Sequence, residues 1–144
     1  MRGNLAISNK TRANVRGIPF STIKDDILGS KYELSVALLT PLMARKVTKQ
    51  AKGLDKASNV LAFPLSKHSG EILLCPATAR AQASAYGMTP KKFLIYLFIH
   101  GCLHLKGMRH GGTMEHTEQR FLARVSSFTH AKNSNRHRHR HLSR

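Results

Sequence analysis

The stretch that decides the reading is Thr89–His110, TPKKFLIYLFIHGCLHLKGMRH. Thr89 followed by Pro90 is a helix start: a hydroxyl to cap the first free N–H groups, then a residue that has none to lose. The helix Lys91–Leu105 is apolar nearly all round, so it belongs at the centre of a core. Gly107 ends it. His100 and His104 lie four apart on that helix, one above the other on a single face. After Gly107 the short turn Met108-Arg109 brings back His110. Three imidazoles can hold one Zn²⁺ and leave a coordination position open, the layout of a catalytic site. The competing reading makes these core or surface histidines. A pair at this spacing with a third beyond a glycine favours the metal. Cys102, two residues after His100, points to the other side of the helix and reads as a buried structural thiol. Gly101 stands where zinc peptidases carry their glutamate base, which argues against proteolysis.

The chain around this helix reads as one α+β domain. Its 144 residues support one core and no more. Asn4–Ser8 alternates weakly and is a first strand. Ser21 is expected to cap a helix with Ile23, Ile27 and Leu28 inward, ending at Gly29-Ser30. Tyr32–Leu39 is a second strand. Thr40-Pro41 opens a helix over Leu42–Ala51, basic on its outer face and closed by Gly53. Asn59–Phe63 is a short strand stopped by Pro64, Leu65–Ser69 a turn, and Gly70–Cys75 another strand. Pro76–Tyr86 is Ala-rich and reads as a helix ending at Gly87. A last helix is expected from Thr113 to about Phe128, with Met114, Phe121, Leu122 and Val125 inward. The sum is roughly four strands in a mixed sheet, with helices around it and the histidine helix buried at the centre. Residues 1–130 form this domain. Ala131–Arg144 carries many Arg and His, has no acid and little apolar content, and reads as a disordered basic tail.

Charge narrows the partners. Lys and Arg total 24 against 7 acids, a formal net charge of +17. Such a field draws polyanions, nucleic acid above all; a merely solvated surface and anionic lipid are the weaker readings. Two cysteines make no disulfide framework. The longest apolar run, Phe93–Ile99, is too short to span a bilayer, and Met1–Lys10 lacks the architecture of a signal peptide. A cytoplasmic location is expected, with no membrane partner.

His100–His110, HGCLHLKGMRH, resembles the H-G-x-L-H-L-x-G-Y-D-H signature of the YbeY-type endoribonucleases, matching at His100, Gly101, Leu103, His104, Leu105, Gly107 and His110. Gly53–Pro64, GLDKASNVLAFP, is similar to that family's G-K-D-x-x-T-[DN]-V-L-S-F-P segment. Gly70-Glu71-Ile72 looks like its G-D-I strand, and Met114 with Glu118 like the M-x-x-x-E after the zinc motif. The resemblance covers roughly Tyr32 to Phe128. It implies a four-stranded sheet with surrounding helices, a basic cleft beside the zinc, and cleavage of single-stranded RNA. It also implies a role in maturing the 3′ end of small-subunit ribosomal RNA and in ribosome quality control. Two positions depart from the pattern. The Tyr-Asp before the last histidine is Met108-Arg109, which puts a cation near the metal. The functional Arg before G-K-D is Lys52, which keeps the charge and loses the bidentate fork. Both bear on rate more than on fold.

The expected activity is therefore metal-dependent phosphodiester hydrolysis. His100, His104 and His110 hold one Zn²⁺, and Lys52 and Arg109 contact phosphate. The basic surface and tail hold ribosomal RNA or the small subunit. The alternative is a zinc-containing ribosome-binding assembly factor that does not cut, and the altered Lys52 and Arg109 motivate it.

Overall fold

The structure is a computed structural model; it describes residues 5–137, with side chains as far as residue 125. In chain order the elements are β1 (Leu5–Asn9), α1 (Phe20–Leu28), β2 (Glu33–Leu38), α2 (Pro41–Lys52), β3 (Val60–Ser66), β4 (Ser69–Leu74), α3 (Pro76–Gln82), α4 (Pro90–Leu105) and α5 (Gly112–His137). A 3-10 segment, Ala83–Tyr86, follows α3. The four strands form one mixed sheet in the order β1-β2-β4-β3. β2 runs parallel to β1 and to β4, and β3 pairs antiparallel to β4. The expected α+β fold is what the structure has.

Strand alternation sorts side chains to the two faces of the sheet. Leu34, Val36 and Leu38 of β2 and Ile72 and Leu74 of β4 join the main core with α1 and α4. Leu73 joins a second, smaller cluster with Leu39, Ala44, Leu61 and Cys75. α4 is the centre of the main core: Phe93, Phe98, Ile99, Cys102 and Leu103 are all buried. Gly101 lets it lie close on β4. A Cβ built there would meet the Ile72 side chain at 3.1–3.3 Å.

The helix starts at α2 and α4 follow the sequence reading. The Thr40 hydroxyl accepts from Met43 N–H, and that of Thr89 from Lys92 N–H. Gly53 closes α2 in the left-handed region at φ +70°, which glycine enters at no steric cost.

Other boundaries differ. Ser21 does not cap α1. The helix begins two residues earlier, at Phe20 with Pro19 in the cap position, because the Pro19 carbonyl already accepts from Ile23 N–H. Pro64 does not stop β3, which continues to Ser66 with an irregularity between Pro64 and Ser66. β3 is an edge strand, where a missing N–H is tolerated, and the expected turn shrinks to Lys67-His68. The stretch Pro76–Tyr86 divides into α3 and the 3-10 segment. α5 passes Phe128 and reaches His137; the sequence offers no Gly or Pro to break it. It thus takes in the first part of Ala131–Arg144, and residues 138–144 of that stretch lie outside the described residues.

Candidate metal centre

The three histidines come together. His100 and His104 project from the C-terminal half of α4, and one ring nitrogen of each lies within 4.8 Å of one on His110. His110 is returned by the turn after α4. Gly107, at φ +106°, donates to the His104 carbonyl and Met108 N–H to that of Leu103. The ring centroids of His110 then stand 5.1 Å from His100 and 4.7 Å from His104.

One acidic residue sets the orientation of His100. Glu118, on α5, is 2% exposed. One carboxylate oxygen accepts from His100 Nδ1, and the other accepts from the Tyr96 hydroxyl at 2.9 Å. A carboxylate offers only lone pairs, so the proton sits on Nδ1 and the Nε2 lone pair of His100 faces the cluster. This is the carboxylate–histidine arrangement that fixes metal-binding imidazoles. His100 Nε2 and His104 Nε2 are 3.1 Å apart. A tetrahedral zinc site with bonds of about 2.0–2.1 Å places its nitrogens about 3.3 Å apart, so the donor set fits such an ion.

Electrostatics favour the same state. Burial holds the His104 imidazole below its ordinary pKa; the neighbouring His100, His110 and Lys52 add to this, and Glu118 opposes it. The ring is therefore neutral and its lone pair available near pH 7. Burial, with the bond to Glu118, pushes the Tyr96 phenol well above its usual range, so it stays a donor to the carboxylate.

The cluster forms part of the wall of a cleft of about 570 Å³. Lys52 and Lys56 also line it, with Asn59 just before the edge strand β3 and Pro64 within it. Lys52 is held there by the anchored end of α2. The buried Thr48 hydroxyl donates to the Ala44 carbonyl and lies 3.0 Å from the Ser58 hydroxyl, tying the helix to the loop before β3. Arg109 is exposed and does not line this cleft. The structure thus gathers His100, His104, His110 and Lys52, and leaves Arg109 apart. Sequence reading marked Glu118 only as part of a pattern and missed Tyr96. The signal for Tyr96 was its position one helical turn before His100.

The family described as "Endoribonuclease YbeY" matches residues 4–130. The chain belongs to the YbeY family. A YbeY endoribonuclease of Wolinella succinogenes is 38% identical over 96 residues, 64% of this chain and 67% of that protein. One from Neisseria meningitidis serogroup C is 34% identical over 91 residues, 56% of this chain and 53% of that protein. One from Thermotoga neapolitana is 36% identical over 77 residues, 53% of this chain and 52% of that protein. The chain spans about half to two thirds of the length of these YbeY proteins. The solution structure of a Thermotoga maritima protein superposes with a TM-score of 0.68 at 22% identity, covering 92% of this chain and 96% of that one, a likeness of fold.

Proposed function

We propose that this protein is a metal-dependent endoribonuclease that cuts single-stranded RNA. The observation that carries the reading is the convergence of three imidazole nitrogens within 4.8 Å in a cleft that also presents Lys52. His100, His104 and His110 would hold one divalent ion, Zn²⁺ by donor type. Such an ion supplies Lewis-acid polarisation of a phosphoryl oxygen and activation of water near neutral pH. The chain's own residues do the rest. Glu118 orients His100. Lys52 holds the scissile phosphate and offsets charge developing on its oxygens. Lys56 and the basic outer face of α2 guide the flanking backbone. The relatives' name, Endoribonuclease YbeY, supports RNA as the polymer. The substrate we infer is small-subunit ribosomal RNA near its 3′ end, in ribosome maturation and quality control, in the cytoplasm. Among the described residues no helix is long and apolar enough to cross a membrane.

The test is zinc content and cleavage of single-stranded ribosomal RNA, wild type against His104→Ala. Loss of both is expected. Undiminished cleavage by a metal-free variant overturns the mechanism. The position of Arg109 outside the cleft favours a second reading, an assembly factor that binds ribosomal RNA without cutting it. Tight binding with no strand scission by the zinc-loaded wild type would select it.

A further inference from the structure

A second recess shares His100 and His110 with the cleft but not Lys52. Its first part is lined by His100, His110, Tyr96, Gly112 and Glu115. It continues into a shallower ledge that shares Tyr96, Gly112 and Glu115 and adds Tyr86, His116 and Gln119. Gly112 leaves the junction open, since a Cβ there would meet nothing within 4 Å.

Three aromatic rings build the ledge. Tyr86 stacks on Phe93 with centroids 4.7 Å apart and planes 25° apart. Phe93 stacks on Tyr96 at 5.9 Å and 14°. Phe93 is 1% exposed, whereas Tyr86 is 58% exposed. The ladder is thus anchored in the core, and its outer ring faces solvent. It is also tied to the metal centre, because Tyr96 donates to the carboxylate that orients His100.

A rigid, exposed ring backed by a buried one is a stacking platform. Unpaired bases use such platforms because every base has a π-face. The polar groups beside it suit a base edge: the Glu115 carboxylate accepts, and the Gln119 amide both donates and accepts. A carboxylate there repels phosphate, so the ledge takes the base and leaves the backbone to the lysines of the cleft.

We propose that this ledge is a nucleobase subsite: one unpaired base next to the scissile phosphate stacks on Tyr86 and presents an exocyclic amino group to Glu115. The proposal rests on the RNA reading above. It adds a reason for single-strand preference, since a paired base cannot reach the ring. It also predicts that adenine, cytosine and guanine are favoured over uracil.

The test is equilibrium binding of the full zinc-loaded protein to short single-stranded RNA oligomers, each compared with an oligomer carrying an abasic site. Tyr86→Ala is expected to weaken binding of the intact oligomer about tenfold, the scale of one lost base–aromatic stack, and to leave the abasic oligomer unchanged. Tyr86→Trp, in a chain that has no other tryptophan, should retain affinity, and its fluorescence should be quenched on binding. Glu115→Gln should narrow the preference for amino-bearing bases over oligouridine. Normal affinity in Tyr86→Ala, with wild-type binding and cleavage intact, overturns the subsite and spares the proposed activity. Equal weakening on intact and abasic oligomers also overturns it, because the ring would then act on the fold. A wild type that neither binds nor cuts RNA removes both.

Discussion

Glu118 satisfies two donors at once, and its loss separates orientation from ligation. Glu118→Gln keeps the side-chain size and removes the charge that fixes the Nδ1–H tautomer of His100. Zinc affinity, measured by competition with a chromophoric chelator, should fall about 10- to 100-fold, the usual effect of losing a partner that orients a ligand. His100, His104 and His110 remain in place, so some binding should persist. Affinity equal to wild type would show that Glu118 does not orient the ring. Cys102 makes a contrasting case within the same helix turn. It is fully buried, and burial pushes its thiol pKa far up. Thiolate is the reactive form, so Cys102 should resist alkylation at pH 8 in native protein and react once denatured. Mass spectrometry of labelled peptides reads this directly. Modification of the native thiol at the rate of free cysteine would contradict the packing.

At the scale of elements, the contact of α4 with β4 sets the position of the site. Gly→Ala inside a helix ordinarily gains up to about 1 kcal/mol. At Gly101 the added methyl would meet Ile72 at 3.1–3.3 Å, and Ile72 is fully buried, so it would have to shift against the packed core. Gly101→Ala is therefore expected to destabilise by about 1–3 kcal/mol, the range for overpacking, as read by urea denaturation. Ile72→Val, which removes the nearest atom, should recover part of the loss in a double-mutant cycle. Strictly additive effects would show that the two do not touch. Much of this arrangement was legible in the sequence. The apolar girth of Lys91–Leu105 marked the central helix, Thr-Pro pairs marked two helix starts, and glycines marked their ends. Histidine spacing gave the cluster because two ligands share one helix and the third is close in sequence. The rest depended on contacts remote in sequence. Pro64 could be read as a stop only while β3 was unplaced; at the sheet edge its missing N–H costs little. Glu118 reaches His100 from another helix, which periodicity along one segment cannot reveal. Nor did the sequence show that Lys52 would line the cleft with the histidines while Arg109, adjacent to His110, would not.

Over the whole molecule, the net charge of +17 makes binding to RNA a question of ionic strength. Ions condensed on the polymer are released when lysines and arginines replace them, so affinity falls linearly on a log–log plot. For single strands the slope is about −0.7 per phosphate neutralised. Lys52 and Lys56 line the cleft, and the exposed face of α2 adds Arg45 and Lys49. Arg45 is in part engaged by Asp55 at 3.1 Å. About three to four neutralised phosphates then give a slope between about −2 and −3 for a short single strand. Lys52→Ala should reduce the magnitude of that slope by about 0.7, with affinity lowered uniformly across sequences, because a phosphate contact carries no base information. Tyr86→Ala should leave the slope alone and lower affinity in a base-dependent way. The two variants thus divide the cleft into an electrostatic side and a stacking side. A salt titration of wild type and both variants by fluorescence anisotropy measures the division. A slope unchanged in Lys52→Ala would place the phosphate elsewhere on the basic surface and remove Lys52 from the proposed reaction.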